Sequence, residues 1–381
     1  TPAEMKNQGF QQVGRDFPVF LHPKTREEYA LARTERKSGT GYYGFTCDFN
    51  AHVTLNEDLL RRDLTINAMA LDDSGELIDP YHGYDDLKAR VLRHVSNAFI
   101  EAPVRVLRVA RFAARYHHLG FKLADETRSL MYAMVKRGEL ADLVSERVWQ
   151  EWASSLQERN PDVFIATLRS CGALQVILPE IDSLFGIPGS PTWHPEIDTG
   201  IHTLMALRMA SALSDDPVIR FAALLHDLGK AITPTACWPS HPDHEEKGVA
   251  IVMRLCERLR VPVEYRKLAV MAAQFHLMIH TLNTLDAEAI ICLFDKTDAF
   301  RNPERFEKLL IVCEADARGV GADRSECSYQ QAQSWRYLLR EVIKIDAKEF
   351  VAQGYKGNEI RVALHARRVE HINNTWINHE K

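Results

Sequence analysis

The stretch from Arg61 to Ala68 reads Arg-Arg-Asp-Leu-Thr-Ile-Asn-Ala and leads into an apolar run that ends at Leu71. A polar turn with glycine, Asp72 to Gly75, follows it, and the apolar pattern resumes at Leu77. Strand, glycine turn and strand in this order predict a β-hairpin. Arginines at the mouth of a strand suit a polyanion, because each guanidinium presents a fork of donors to phosphate oxygens. For an arbitrary Arg-Arg-Asp, a charged strand edge is the alternative.

The composition is that of a globular protein. The chain has 381 residues, of which 46% are hydrophobic and 26% are charged, enough for two to four domains. Its net charge of -5 means that a nucleic-acid partner would have to be met by local positive charge. Seven scattered cysteines, the lack of an apolar run of membrane-spanning length and the lack of a signal peptide predict a cytoplasmic protein with reduced thiols.

The first 93 residues have an α/β pattern. A second hairpin is expected from the apolar segments Phe17 to Leu21 and Glu28 to Leu31. The glycine-rich segment Ser38 to Gly44 predicts a flexible loop, and Asn56 to Leu60 predicts a short helix before the arginine stretch.

From Ser96 onward the pattern is helical. The segment Glu101 to Arg115 predicts an amphipathic helix, and its arginines at spacings of three, three and four share one face: Arg105, Arg108, Arg111 and Arg115. No glutamate four residues away neutralises them, so an anionic partner is favoured over a solvated face.

Further helices are expected at Glu146 to Leu156 and Val163 to Leu174, followed by a joint rich in proline and glycine from Pro179 to Gly200. This joint predicts a domain boundary. More helices are expected from Tyr329 onward. The helix that follows Lys356 has a basic end, and the sequence fits contact with RNA and simple exposure to solvent equally well.

A second set of chemical groups lies beyond the joint. The apolar helix Val218 to Leu225 ends in His226-Asp227-Leu228-Gly229-Lys230. Other imidazoles and a carboxylate are expected to converge on this pair: His202, His241, His244, His276, His280 and Asp316. Such a set without cysteine suits a divalent ion that activates water. Packing or capping of helices explains any one histidine, but it explains the whole set poorly.

The Arg61 to Ala68 octapeptide resembles the signature of class II template-independent tRNA nucleotidyltransferases, the CCA-adding enzymes and their poly(A) polymerase relatives. The resemblance implies that Arg62 and Asp63 contact the triphosphate and ribose of the incoming nucleotide, with Asn67 nearby.

The arginine helix resembles the same family. There, Glu-Asp-x-x-Arg heads the helix, and its Asp and Arg read the base edge. This sequence has Ala102 at the Asp position, and alanine cannot accept from a base amino group. Nucleotide selectivity is therefore open, while Arg105, Arg108 and Arg111 carry over as NTP-binding residues.

The histidine set resembles an HD-type phosphohydrolase domain. The resemblance implies His202, His226, Asp227 and Asp316 as ligands of a divalent metal such as Ni²⁺, Mn²⁺ or Mg²⁺, with His226 and Asp227 catalytic. The remaining histidines follow as substrate or second-metal groups: His241, His244, His276 and His280.

Nearly the whole chain resembles bacterial multifunctional CCA proteins. The implied fold class is α+β: an N-terminal mixed nucleotidyltransferase-type sheet, truncated in this chain, then a helical neck and body, and a helical HD domain. The expected boundaries are 1–95 for the head, 96–190 for the neck and body, 199–318 for the HD domain and 319–381 for a helical tail.

The resemblance implies addition or repair of the tRNA 3′-terminal CCA from CTP and ATP with Mg²⁺. The tRNA 3′ hydroxyl would attack the α-phosphorus, and pyrophosphate would leave. The HD domain would act as a phosphatase or 2′,3′-cyclic phosphodiesterase. The implied partners are tRNA, CTP and ATP, with no membrane, and a homodimer is left open.

One departure from the family concerns its Gly-Gly-x-x-Arg-Asp turn and its Asp-x-Asp pair. Neither occurs in this sequence, which opens at Thr1, just after the place where they are expected. Glu28 matches a third catalytic carboxylate, and one carboxylate cannot organise two divalent cations.

Three hypotheses follow from this departure. The chain is a CCA-adding enzyme with HD activities whose first residues precede Thr1, or it is active only as an HD phosphohydrolase, or it is a non-catalytic tRNA-binding module. The coding sequence upstream of Thr1 would separate the first from the others. A poly(A) polymerase ranks low, because it does not predict the HD set.

Overall fold

The computed structural model describes residues 1–13, 19–37, 45–189, 198–320 and 327–377. The chain divides into two compact units, unit 1 (Thr1–Ile177) and unit 2 (Leu178–Lys381). Within the described residues, no helix combines the length and the apolar character needed to cross a membrane. The predicted loop at 38–44 and part of the predicted joint, 190–197, lie outside the described residues.

The sheets that the structure describes are small and lie in unit 1. An antiparallel sheet contains β1 (Gln11–Val13), β2 (Val19–Leu21) and β3 (Glu28–Ala30), which confirms the second predicted hairpin. Two further antiparallel pairs are β4 (Thr34–Lys37) with β5 (Phe45–Asp48) and β6 (Ala70–Leu71) with β7 (Leu77–Ile78). The parallel pair joins β8 (Val91–Leu92) to β9 (Lys122–Leu123).

The hairpin after the arginine stretch is confirmed, with Ala70 opposite Ile78 and Leu71 opposite Leu77. Its first strand is shorter than expected, because Thr65–Asn67 forms a 3₁₀ turn. The Thr65 hydroxyl donates to the buried carboxylate of Asp86 at 2.7 Å. The backbone carbonyl of Thr65 lies so close to Gly83 that a Cβ at position 83 would overlap the carbonyl oxygen. These contacts hold the turn Thr65–Asn67 against the helix Gly83–Ala89, just before the hairpin begins.

Eight helices are described in unit 1: α1 (Pro2–Asn7), α2 (Leu55–Leu60), α3 (Gly83–Ala89), α4 (Val104–Tyr116), α5 (Asp125–Lys136), α6 (Ser145–Leu156), α7 (Pro161–Ser170) and α8 (Ala173–Ile177). The arginine helix α4 starts three residues later than expected, after Pro103, and its apolar face packs on α6 and α7. The expected helix 163–174 is split, because Gly172 has a φ of +75° that a helix cannot contain.

The described residues of unit 2 form only helices and their connections. The helices are α9 (Pro179–Asp182), α10 (Thr199–Leu213), α11 (Pro217–Leu225), α12 (His244–Arg258), α13 (Val263–His280), α14 (Ala287–Lys296), α15 (Pro303–Arg318), α16 (Gln330–Ile343), α17 (Lys348–Ala352) and α18 (Asn358–Ile372). Helices α10, α11, α13 and α15 pack on one another around a shared apolar core. With the strands of unit 1, they confirm the α+β class.

Candidate nucleotide site and candidate metal centre

The signature carboxylate Asp63 is buried and is held by three donors. It accepts from Arg108 Nε at 2.7 Å, from the Asn67 amide at 3.1 Å and from the Leu64 N–H at 2.9 Å. Burial by itself would raise the pKa of Asp63, but the charge of Arg108 and these hydrogen bonds outweigh it and hold the pKa below its ordinary value. The structure thus brings together three predicted residues of the nucleotide site.

Arg62, the other signature residue, has an exposed side chain whose two terminal guanidinium nitrogens each make one contact. It donates to Asp58 Oδ2 at 3.3 Å and to the Asn67 carbonyl at 3.3 Å. The buried carboxylate of Asp58 also accepts from Arg61 and from the Arg33 N–H. The sequence pattern alone did not single out Asp58. Its position three and four residues before the two arginines was the available signal.

The expected unneutralised arginine face of α4 is wrong, because tertiary contacts in unit 1 meet all four side chains. Arg108 pairs with Asp63, Arg111 pairs with Glu151 at 2.7 Å, Arg115 pairs with Glu158 at 2.7 Å, and the Arg105 guanidinium donates to the backbone carbonyls of Ala98 and Arg61. The two glutamates are distant in sequence, so no i,i+4 test could find them. The NTP-binding roles of Arg105 and Arg111 stay predictions.

Glu28 is exposed on β3. In the described part of unit 1, no three histidine, cysteine or carboxylate side chains lie within ligand distance of one another. The catalytic role of Glu28 also stays a prediction.

Unit 2 contains two buried groups of such side chains. The first group contains His202 on α10, His226 at the end of α11 and Asp316 on α15. Asp316 Oδ1 lies 2.8 Å from His202 Nε2 and 3.4 Å from His226 Nε2. Two consecutive helices, α10 and α11, and the distant helix α15 therefore each contribute one ligand-type atom to this group.

The second group contains Asp227, His244 on α12 and His276 on α13. Asp227 Oδ1 lies 3.4 Å from His244 Nε2 and 3.6 Å from His276 Nε2, while Asp227 Oδ2 lies 3.3 Å from His226 Nε2. Asp227 therefore links the two groups. All four predicted metal ligands are close together, with two of the four less certain histidines beside them.

Backbone carbonyls orient three of these imidazoles. The Nδ1 atoms of His226, His244 and His276 lie 2.8, 2.9 and 3.0 Å from the carbonyl oxygens of Ala223, His241 and Ala272. Because a carbonyl only accepts, each Nδ1 carries the hydrogen, and in the neutral ring the Nε2 lone pair faces the cluster.

Several atoms in the cluster lack a suitable donor. The Nε2 atoms of His244 and His276 face each other at 3.4 Å. His226 Nε2 and Asp227 Oδ1 are fully buried and have no hydrogen-bond partner. Buried lone pairs that converge without donors fit a cation, because a bound metal satisfies all of them at once.

The charges of the cluster also favour a cation. Burial would lower the pKa of His226, but Asp227 and Asp316 on either side hold it well above the ordinary value. Burial and the nearby charge of His226 lower the pKa of His276 to about 3, against the opposing pull of Asp227. Lys230 Nζ donates to Asp227 Oδ2 at 2.6 Å. The two carboxylates thus favour positive charge at this point, and a bound metal would supply it.

Two predicted histidines lie outside both groups. The ring of His241 is held by the Thr233 hydroxyl at 2.6 Å on Nδ1 and by the Pro188 carbonyl at 2.7 Å on Nε2. Both its nitrogens are therefore used elsewhere, and it contributes only the carbonyl that orients His244. His280 Nε2 lies 2.8 Å from Asp316 Oδ2, so it contacts a carboxylate of the first group from outside. Lys230 was part of the quoted motif without a role, and it proves to touch Asp227.

Glycine at position 229 allows the close contact on which the second group depends. A Cβ at Gly229 would overlap the carbonyl oxygen of His244 and would lie 2.7 Å from the Gly248 nitrogen. The turn that carries Asp227 therefore touches the first turn of α12, and this contact brings His244 to Asp227.

Three protein-family models match the chain. The "Poly A polymerase head domain" matches residues 4–93, the "Probable RNA and SrmB- binding site of polymerase A" matches 120–185, and the "HD domain" matches 199–300. The HD match contains five of the six residues of the two metal-ligand groups and ends before the sixth, Asp316.

Solved structures share the fold. A CCA-adding enzyme in apo form II has a TM-score of 0.62 at 17% identity, with 98% of this chain and 83% of that chain covered. A CCA-adding enzyme in complex with CTP has a TM-score of 0.61 at 19% identity, with 97% and 79% covered. The Thermotoga maritima CCA-adding enzyme complexed with tRNA has a TM-score of 0.55 at 18% identity, with 98% and 80% covered.

Curated relatives are far more similar in sequence. The Multifunctional CCA protein of Legionella pneumophila strain Philadelphia 1 is 59% identical over 384 residues, which covers 100% of this chain and 93% of the relative. The Multifunctional CCA protein of Aliivibrio salmonicida is 56% identical, covering 98% of this chain and 91% of the relative. With this identity over its whole length, the chain belongs to the multifunctional CCA protein family.

Proposed function

We propose that this chain adds or repairs the 3′-terminal CCA of tRNA from CTP and ATP and that its HD site hydrolyses phosphomonoesters or 2′,3′-cyclic phosphodiesters. The observation that carries the proposal is 59% identity over the entire chain to a Multifunctional CCA protein. Solved relatives in complex with ATP, with CTP and with tRNA support the substrates. We assign 1–95 to the head, 96–190 to the neck and body, 199–318 to the HD domain and 319–381 to the tail.

In the transferase, the tRNA 3′ hydroxyl attacks the α-phosphorus and pyrophosphate leaves. Arg62 is the residue best suited to hold the triphosphate, since its side chain is exposed while Asp58 and the Asn67 carbonyl orient its two terminal nitrogens. Each of these nitrogens carries a second N–H that can donate to a phosphate oxygen. Arg108 is oriented by Asp63 and is partly exposed, so it can follow the charge that develops on the phosphate oxygens. Asp63 keeps its charge and can accept from a ribose hydroxyl. Asn67 supports Asp63 from the other side.

In the HD site, the residues that would hold a divalent cation are His202, His226, Asp227 and Asp316, and His244 and His276 would hold a second one. When bound, such a cation supplies Lewis-acid activation of water and neutralises phosphate charge. The protein's own contribution is orientation. Backbone carbonyls fix the Nε2 lone pairs, and Lys230 fixes Asp227. Burial of the cluster strengthens each of these interactions.

Both domain types imply a divalent metal requirement. We propose Mg²⁺ for nucleotidyl transfer and Ni²⁺, Mn²⁺ or Mg²⁺ for the HD site. The proposed partner is tRNA, and a cytoplasmic location and a homodimer stay predictions.

The test of the transferase uses tRNA that lacks its terminal CCA, with labelled CTP and ATP and Mg²⁺. We expect incorporation of two C and one A. Arg62→Ala should lower incorporation at least tenfold and leave phosphohydrolase activity unchanged. Hydrolysis without any incorporation by the unaltered chain would instead select the narrower phosphohydrolase function.

The HD test is the converse experiment. The full chain is given a 2′,3′-cyclic nucleotide and a phosphomonoester with Ni²⁺, Mn²⁺ or Mg²⁺. His226→Ala should abolish hydrolysis and leave CCA incorporation within twofold. If His226→Ala hydrolyses both substrates at the unaltered rate, the cluster is not the hydrolytic site.

A further inference from the structure

Tyr329 makes a contact with the metal cluster through one intermediate residue. Its hydroxyl lies 2.7 Å from His280 Nδ1, and His280 Nε2 lies 2.8 Å from Asp316 Oδ2. The ring of Tyr329 packs edge-on against the imidazole, with centroids 5.7 Å apart. Tyr329 follows the matched HD segment by 29 residues, yet it is buried against this segment's last long helix, α13.

The direction of the two hydrogen bonds follows from the chemistry of Asp316. A carboxylate only accepts, so His280 Nε2 carries the hydrogen that is donated to Asp316 Oδ2. In the neutral imidazole, Nδ1 is then an acceptor, and the Tyr329 hydroxyl must donate to it. Burial raises the pKa of Tyr329, and the nearby Cys313 and Asp316 raise it further, so the hydroxyl keeps its hydrogen.

This chain of hydrogen bonds fixes one oxygen of Asp316 and leaves the other for the cluster. With Oδ2 occupied by His280, Oδ1 is the atom that lies 2.8 Å from His202 Nε2 and 3.4 Å from His226 Nε2. The carboxylate cannot rotate without breaking the bond from His280. An outer hydrogen bond of this kind commonly orients a metal-ligating carboxylate.

The same segment also holds the end of α13. The indole of Trp335, fully buried on α16, donates to the carbonyl of Ile279 at 3.0 Å, one residue before His280. Trp335 packs against Phe294 and Phe306 with centroids 5.4 and 6.0 Å apart. The backbone and the side chain at the end of α13 are thus both fixed by residues that follow α15.

We propose that Tyr329 is a positioning residue of the metal centre, which orients Asp316 through His280. The proposal rests on the proposed HD function, and it gives His280 an outer role in place of a metal ligand or substrate group. The helical tail therefore completes the HD site: a segment beyond the matched domain sets how tightly the metal is held.

The test is a titration of the full chain with Co²⁺, followed by its visible absorption, with His226→Ala as the blank. Tyr329→Phe removes one hydroxyl and keeps the ring, so we expect Co²⁺ affinity to fall about threefold to tenfold, the size of one lost hydrogen bond. His280→Ala should lower the affinity about 10- to 100-fold. His280→Gln keeps an N–H for Asp316 and should recover most of this loss.

The distinguishing measurement is the double variant. Tyr329→Phe made in the His280→Ala background should cause no further loss of Co²⁺ affinity, because the hydroxyl acts only through the imidazole. The matched control is Tyr265→Phe, whose tyrosine is equally buried, at 8% exposure, and packs on Phe221 instead. It should leave the affinity unchanged.

Three results would overturn the proposal. If Tyr329→Phe binds Co²⁺ as the unaltered chain does, or if its loss adds fully to that of His280→Ala, Tyr329 does not act through His280. If the unaltered chain and His226→Ala bind Co²⁺ equally, the metal centre itself fails and the positioning role fails with it. The first pair of outcomes leaves the HD function standing, so the two failures are distinguishable.

Discussion

Asp58 and Asp63 are five residues apart, and each is a buried carboxylate that holds arginines. A buried charge is tolerated only when it is paired and hydrogen-bonded, so these two residues also dictate where Arg62 and Arg108 point. The electrostatics of the nucleotide site are therefore decided by acids as much as by arginines.

Asp63→Asn should weaken unit 1 in a pH-dependent way. The folded pKa of Asp63 lies below its unfolded value of about 3.9. Its charge therefore stabilises the fold fully above that value, and the stabilisation is lost as pH falls through the folded pKa. We expect Asp63→Asn to lower the free energy of unfolding by about 1–2 kcal/mol at pH 7, since Arg108 is partly exposed, and by less at pH 3.5.

The measurement is urea unfolding at the two pH values. Asp73→Asn, which alters an exposed carboxylate in the hairpin turn, is the control and should change the free energy of unfolding by less than about 0.5 kcal/mol. A loss for Asp63→Asn that is equal at pH 7 and pH 3.5 would contradict the argument from charge.

Ala102→Asp should sharpen nucleotide choice. Ala102 directly precedes Pro103 and α4. By the resemblance to class II nucleotidyltransferases, it stands at the position expected for a base-reading carboxylate. An aspartate there can accept from the amino group of cytosine or adenine, whereas UTP and GTP offer a carbonyl at the equivalent edge. We expect the ratio of kcat/KM for CTP and ATP over UTP and GTP to rise about tenfold. Unchanged ratios would show that this position does not read the base.

At the scale of elements, helix ends determine the geometry of the metal cluster. His226 lies at the end of α11, His244 begins α12, and His280 ends α13. The first two of these ends meet because the turn after Asp227 carries a glycine, Gly229, that touches α12. The packing of two elements, more than any single ligand, therefore sets the distance from Asp227 to His244.

Gly229→Ala should damage both stability and metal binding. Its Cβ would overlap the His244 carbonyl, so α12 must move away and take His244 from Asp227. We expect the free energy of unfolding of unit 2 to fall by about 1–3 kcal/mol, as in other overpacked sites, and metal affinity to fall at least tenfold. Calorimetry and Co²⁺ titration measure the two effects.

Gly248→Ala is the matched control on the other side of this contact. Its Cβ would lie 3.3 Å from the Gly229 nitrogen and 3.6 Å from the Ala273 Cβ, which small shifts can absorb. The gain in helix propensity, about 1 kcal/mol, should offset the crowding. If both variants behave alike, the close contact at Gly229 does not position α12.

At the scale of the whole chain, the two units carry different chemistry. The clusters of metal-ligand type that the structure describes all lie in unit 2, whereas the paired arginines and aspartates of the signature lie in unit 1. A ligand that binds only one unit should therefore stabilise only that unit.

Metal addition should raise one unfolding transition selectively. With free Co²⁺ at 100 times its Kd, linkage predicts about 2.7 kcal/mol of added stability for unit 2. We expect the calorimetric transition of unit 2 to rise in temperature, chelator to reverse the rise, and His226→Ala to abolish it. A rise that persists in His226→Ala would place the bound metal outside the cluster.

Much of the architecture follows from local sequence pattern. The α+β class, the hairpin after Arg62 and the short helix α2 depend on periodicity and turn residues, which act over a few neighbouring positions. The inference of a metal cluster around His226 and Asp227 also came from residue types, because histidines and aspartates in such number have few other uses.

Only the tertiary structure decided which groups meet. Glu151 neutralises Arg111 from 40 residues away, and Tyr329 reaches His280 across 49 residues. Helical spacing reports only neighbours three or four residues apart, so it could not show that the arginine face is paired or that His241 is turned away from the cluster. Such contacts depend on how distant helices pack, and packing is a property of the folded chain as a whole.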